Sequence, residues 1–180
     1  MSRIGNAHIV LPQGVELSID ATNNVIVKGP LGQLEQKVDS VIKIERHENE
    51  LKLSRSSEDK DIKAKHGLYR ALIANMIEGV TKGYKKSLII NGVGYKAVIN
   101  GKTLTLNVGF SHSVIVESVD GITMEIPKTN QIDISGISKE LVGQFASKIR
   151  RIKPVEPYHA YGIRYLDEVV VRKEGKTAKK

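Results

Sequence analysis

Val15, Leu17 and Ile19 alternate with polar neighbours along "VELSID", the period-two pattern of a strand with one buried face. A turn composition, Ala21-Thr22-Asn23-Asn24, leads into "NVIVKG" (24–29), after which "GPLG" (29–32) breaks the chain. Alternation returns in "VIKIER" (41–46) and "ELKLS" (50–54), which predicts a meander ended by the polar run 54–61. From Ile62 the period changes. Leu68, Leu72, Met76 and Val80 recur every four residues, flanked by Ala71, Ala74 and Ile77, and predict an amphipathic helix of about five turns. Asp59 or Asp61 is placed to cap its start, and Gly83 stands where it stops.

The same plan then recurs. "SLIING" and "VGYKAVI" are apolar and rich in β-formers, Asn100-Gly101 is a strong hairpin signal, and "TLTLNVG" answers across it. "SVIVE", "ITMEI" and "QIDIS" follow, and Ser138 caps a predicted helix. That helix carries Leu141, Phe145, Ile149 and Ile152 on one face, with Lys148 and Arg151 on the other side. Gly29 aligns with Gly109, Leu51-x-Leu53 with Ile132-x-Ile134, and Gly67, Ile73 and Met76 with Gly143, Ile149 and Ile152, at offsets of 80, 81 and 76. The fold class predicted is α+β: two tandem, structurally similar small domains (1–82 and 83–172), each an antiparallel sheet packed on a helix. A basic C-terminal extension completes it, with 173–180 as a flexible tail.

Composition narrows the partners. The chain has 180 residues, no cysteine, no tryptophan and eight aromatics in all, so disulfides and thiolate metal sites are excluded and the core must rest on Val, Ile and Leu. The formal charge is +8, and residues 146–180 hold ten Lys/Arg against four acids, +6 of that total. A nearly balanced body with one strongly positive end points to a polyanionic partner, nucleic acid or an anionic surface. The N-terminal "MSRIGNAHIVLPQG" lacks the apolar run of a signal peptide and no stretch approaches a membrane span, so a cytoplasmic protein is expected.

Strings that look catalytic fail on their surroundings. Gly92-x-Gly94-x-x-Ala97 fits a loose dinucleotide fingerprint but runs into a hairpin instead of opening a helix. Gly101-Lys102-Thr103 and Gly175-Lys176-Thr177 lack the upstream glycine of a phosphate loop, having Lys96 and Val170 there. Histidines 8, 47, 66, 112 and 159 are scattered, His66 reads as a surface or packing residue of the first helix, and acids such as Glu48, Glu50, Glu58, Asp59 and Asp61 fall in polar turns. No nucleophile, base and orienting group come together, so neither an enzyme nor a cofactor is expected.

The positive end has its own chemistry. In "KPVEPYHAYGIRY" (153–165), Pro154 and Pro157 deny the chain a helix and make "KPVEPY" extended and stiff, while Gly162 allows a close backbone approach. Tyr158, Tyr161 and Tyr165 are then presented for stacking on bases or hydrogen bonding to phosphate or 2′-OH. Lys148, Arg151, Lys153, Arg164, Arg172, Lys173, Lys176, Lys179 and Lys180 would supply phosphate contacts. A competing assignment has the tyrosines cover the end of the second sheet, with Val169 to Val171 as a short packed strand and the tail merely solubilising. A scaffold whose tail meets acidic partners or a membrane is a further class, but the tail lacks an amphipathic helix with bulky apolar anchors.

These residues also carry a resemblance. Pro154 to Tyr165 is similar to the signature "PEPYKGKGIRY" of the bacterial large-subunit ribosomal protein family six (L-six). "MSRIG", "VKGPLG", "HGLYRALIANMIEGV", "GVGYKA", "VGFSHSV" and "RKEGK" agree in the same order from end to end. The resemblance implies two related α+β domains and a structural, non-enzymatic role. It implies binding of large-subunit (23S) ribosomal RNA near the stalk base and the factor-binding region, beside neighbouring large-subunit ribosomal proteins and docking translational GTPases, with no membrane and no homo-oligomer. Where the family shows Lys-Gly-Lys-Gly, this chain has His159-Ala160-Tyr161-Gly162, losing two cations and gaining an aromatic. Tyr161 then offers stacking or a hydroxyl in place of a cation, and His159 a ring N–H. Asn6-Ala7-His8 likewise stands where basic residues are common.

Overall fold

A computed structural model describes residues 3–47 and 49–176, so Lys179 and Lys180 of the expected RNA-binding set lie outside the described residues. The chain divides into two compact units, Met1–Gly83 with Ile137–Lys139, and Tyr84–Gly136 with Glu140–Lys180. The first unit contains β1 (Ile9–Val10), β2 (Glu16–Ile19), β3 (Asn24–Gly29), β4 (Gly32–Lys37), β5 (Ile42–His47), β6 (Glu50–Arg55) and α1 (Lys60–Thr81). The second contains β7 (Tyr84–Asn91), β8 (Lys96–Asn100), β9 (Thr103–Asn107), β10 (Val114–Glu117), β11 (Ile122–Lys128), β12 (Gln131–Gly136), α2 (Lys139–Ile152) and β13 (Gly162–Tyr165).

The duplication holds strand by strand. One sheet of the first unit runs β2-β3-β4 and the other β1-β6-β5; in the second unit they run β10-β9-β8 and β11-β12-β7-β13. Each unit thus has an opening strand, a three-stranded meander, a hairpin that pairs back on the opening strand, and a helix. The pairings between these strands are antiparallel. Leu51 and Leu53 of β6 and their repeat partners Ile132 and Ile134 of β12 are all buried. Strand alternation drives this: residues two apart share a face, and each buried Val, Ile or Leu contributes about 1.5–3 kcal/mol.

Several expectations need correction. "GPLG" does not break the meander; Gly29 pairs with Gly32 across the Pro30-Leu31 turn, and β4 follows at once. The strand "GQLEQK" carries Leu34 as its one bulky apolar residue, so alternation barely marks it. The expected hairpin does form: Asn100 pairs with Thr103, and the left-handed φ of +60° falls on Gly101, the first loop residue. The first helix begins at Lys60 after Asp59, but Asp59 makes no side-chain capping bond; its carboxylate accepts the Ser57 hydroxyl (2.6 Å).

The helix faces also turn out rotated. Leu68 is 53% exposed, and the buried side of α1 is His66, Ile73, Met76, Ile77 and Val80. Leu141 is exposed, and α2 buries Val142, Phe145, Ala146 and Ile149. A four-residue step turns a helix through about 400°, so a stripe built on i, i+4, i+8 drifts about 40° per step off a straight contact line. The offset of 76 that aligns Ile73 with Ile149 also aligns buried His66 with buried Val142. His66 is therefore a core residue, its Nε2 3.0 Å from the Leu53 carbonyl and its Nδ1 3.2 Å from the Arg55 guanidinium.

Asp133, between Ile132 and Ile134, is buried as well. Burial pushes its carboxyl up, but bonds from Lys85, Gln131 and Ser87 outweigh that and hold it below the usual carboxylate range. The Lys85 ammonium lies 2.6 Å away and the Gln131 amide 2.8 Å.

Candidate nucleic-acid interface

The positive end is built on α2, the loop 153–161, β13 and the segment after it. On α2 the buried face fixes which cations face out: Lys148 and Arg151 are exposed beside a shallow depression lined by Gly143, Gln144 and Ser147. The short side chains there leave room for close approach. Arg150, one position along, is turned inward and forms a fork with Glu168, Nε to Oε2 at 2.9 Å and Nη2 to Oε1 at 2.5 Å. Arg150 first, and then the Tyr165 N–H, hold the Glu168 carboxyl below its ordinary range against burial.

After α2 the chain leaves Lys153 and runs alongside β13: Pro154 bridges Ile163, and the Ile163 N–H donates to the Lys153 carbonyl (2.8 Å). This explains Gly162, whose φ of +139° and close approach to the Pro154 carbonyl exclude a side chain, since an added Cβ would lie 2.7 Å from that oxygen. The close approach expected of this glycine is made to its own chain. "PYH" is not extended but forms a turn, and Glu156 organises it. Its carboxylate accepts the backbone N–H groups of His159 (2.5 Å) and Tyr158 (3.2 Å), and its own N–H donates to the Tyr161 carbonyl (3.0 Å). The His159 N–H above all holds the Glu156 carboxyl below the usual range. Ala160, in the left-handed region at φ +60°, is buried, and its carbonyl accepts the Asn91 amide (2.9 Å).

The tyrosines separate into two kinds. Tyr158 is 51% exposed, and Tyr161, 36% exposed, stacks on His159 with centroids 5.4 Å apart and planes at 22°. Tyr165 instead packs against the core of the second unit, with the Arg150 guanidinium 5.5 Å and the Lys86 ammonium 5.7 Å from its ring centre. Arg164 is half-buried, and its Nη1 donates to the carbonyls of Tyr165, Leu166 and Glu168 at 3.2, 3.4 and 3.0 Å. Tyr165 and Arg164 thus shape the site from behind. Of the three, Tyr165 covers the core of the second unit, while Tyr158 and Tyr161 keep their rings toward solvent.

The strand expected at Val169 to Val171 does not form: Val169 and Val171 are 88% and 83% exposed. The segment is tied back by the Lys173 N–H, which donates to the Pro157 carbonyl (2.9 Å). Arg172, Lys173 and Lys176 are exposed along it. Among the described residues, Lys148, Arg151, Lys153, Arg172, Lys173 and Lys176 form no ion pair with an acid of the chain.

Sequence reasoning missed Glu156 and the Arg150–Glu168 fork, and it used the loop "VGFSHS" between β9 and β10 for the resemblance without giving it a part in the site. There Phe110 stacks on His112, with centroids 5.9 Å apart and planes at 17°, and the Lys153 ammonium sits 4.9 Å from the Phe110 ring centre. One of only two phenylalanines in the chain, placed in a polar loop, was the available signal. The glycine string 92–94 is a turn between β7 and β8 and opens no helix. Among the described residues no group of His, Cys, Asp and Glu could hold a metal, and no helix is long and apolar enough to cross a membrane.

Fold and site define a duplicated α+β protein with a basic, aromatic-bearing surface on its second unit. Residues 11–83 and 91–166 each match the family described as Ribosomal protein L6. The chain is 51% identical over 179 residues to the large ribosomal subunit protein uL6 of Alkaliphilus metalliredigens, covering 99% of this chain and 100% of that one. It is 49% identical, with the same coverage, to the proteins of that name from Natranaerobius thermophilus and Clostridium acetobutylicum. The chain belongs to the ribosomal protein L6 family, whose members are structural ribosomal proteins and not enzymes.

Proposed function

We propose that the chain is a structural constituent of the large ribosomal subunit that grips large-subunit (23S) ribosomal RNA with the positive end of its second unit and so supports translation in the cytoplasm. The observation that carries this is the set of six cations without ion pairs among the described residues, Lys148, Arg151, Lys153, Arg172, Lys173 and Lys176, together with the exposed Tyr158 and the His159–Tyr161 stack. Lys179 and Lys180 add two further charges in sequence. The cations neutralise phosphates, and the rings take unpaired bases or sugars. Arg164 and Tyr165 act as positioning residues, holding β13 and its following turn so that the loop keeps its form. Location near the stalk base and the factor-binding region, with neighbouring ribosomal proteins and translational GTPases close by, rests on the family resemblance alone.

Sedimentation of a cell lysate tests the proposal. The chain is expected in the heavy ribosomal fraction and is expected to leave it after ribonuclease digestion or in molar salt. A chain that stays with the heavy fraction after both treatments would be held by protein or lipid, and the proposal would fall.

A further inference from the structure

The loop 108–113 is built too firmly to be a simple connection. Gly109 takes a φ of +76°, and a Cβ there would meet the Tyr95 hydroxyl at 2.9 Å, so the turn packs on Tyr95 as only glycine can. The Ser113 hydroxyl donates to the Asn107 side-chain oxygen (2.6 Å) and closes the base of the loop. Held above this base, Phe110 is 43% exposed, whereas the other phenylalanine, Phe145, lies in the core.

The surroundings of Phe110 show what would cover it. Its loop neighbours are Gly109, Ser111, His112 and Ser113, all exposed, and the group over its ring is the Lys153 ammonium. The core of a protein–protein interface is depleted of lysine, whereas here a lysine ammonium lies over the ring itself. An aromatic face, a second parallel ring and an adjacent cation instead match the parts of one nucleotide: a base to stack and a phosphate to neutralise. Lys153 also belongs to the six-cation set, which gives this loop and α2 a common phosphate-facing residue.

We propose that Phe110, His112 and Lys153 form a second stacking site for an unpaired RNA base, built on a different ring pair from the His159–Tyr161 stack. The site rests on the RNA-binding reading above.

The chain has no tryptophan, so F110W places its single indole at this position. The full-length variant is titrated with a large-subunit ribosomal RNA transcript, reading filter retention and indole emission together. Emission is expected to be quenched with the midpoint of retention. Phe110→Leu keeps an apolar side chain on an exposed loop but removes the π-face, and should weaken retention on the order of tenfold without changing the salt slope. Lys153→Gln should flatten that slope by about one phosphate contact. Normal retention with unquenched emission and an unaffected Phe110→Leu overturns the second site and leaves the RNA-binding reading intact. Failure of the unaltered chain to retain the transcript overturns both. If Phe110→Leu lowers incorporation into the large subunit while RNA affinity is unchanged, the loop contacts a protein neighbour and the proposal also falls.

Discussion

Glu156 is an acid in a strongly basic stretch, and by charge alone it would weaken the grip it sits in. Its carboxylate nevertheless organises the loop, because two backbone N–H groups and the nearby His159 ring converge on it. The folded carboxyl is held below its ordinary value, so its stabilising effect is fully present above the unfolded value and is lost as pH falls through the folded one. Acidification below about pH 4.5 should therefore release the loop locally, with amide protection factors falling at Tyr158 and His159 while the β12 amides stay protected. An equal loss of protection at both places would mean that the loop has no staple of its own. Glu168 does comparable work one layer deeper, where its fork with Arg150 removes one cation from the outward-facing set. Neither role is visible in a charge count, which scores both acids as simple subtractions.

At the scale of elements, periodicity named the helices and missed their rotation. The four-residue stripe includes Leu68 and passes over Ile73, yet Leu68 is exposed and Ile73 sealed. Leu68→Gln should change stability by no more than about 0.5 kcal/mol, whereas Ile73→Ala should cost about 2–5 kcal/mol by leaving a cavity. Chemical denaturation of the two variants checks this, and comparable losses would return Leu68 to the core. Three strands escaped for different reasons, β1 because its two residues are too few to show a period. β4 is too polar for alternation to mark it. β13, "GIRY", lies in a proline-punctuated stretch and exists because the exposed edge of β7 accepts it, Gly162 opposite Asn91 and Tyr165 opposite Leu88. No local pattern records an edge so far away along the chain.

For the whole molecule, the useful quantity is the number of cations left to meet phosphate. Ten Lys/Arg follow Phe145 in sequence, but Arg150 is taken by Glu168 and Arg164 donates to backbone carbonyls. With about six described contacts, log affinity for ribosomal RNA should fall by roughly 4 to 5 per decade of salt, a loss of a few hundred-fold between about 50 and 200 mM. A filter-binding titration with slope near 1 would show that most of these side chains meet no phosphate. The first unit, with its nearly balanced charge, should contribute little to that slope.

Order along the chain was enough for the strand and helix periods, the duplication, the kinship, and the concentration of positive charge after residue 145. These are local or additive properties, readable from neighbours and counts. Which helix face is sealed, which cations keep their charge for a partner, and which rings meet solvent were decided only when distant segments came together. Arg150 finds Glu168 eighteen positions away, and Lys153 finds Phe110 from another element altogether. A side chain's chemistry depends on what desolvates it and what it is bonded to, and in a sheet protein both are set by long-range pairing.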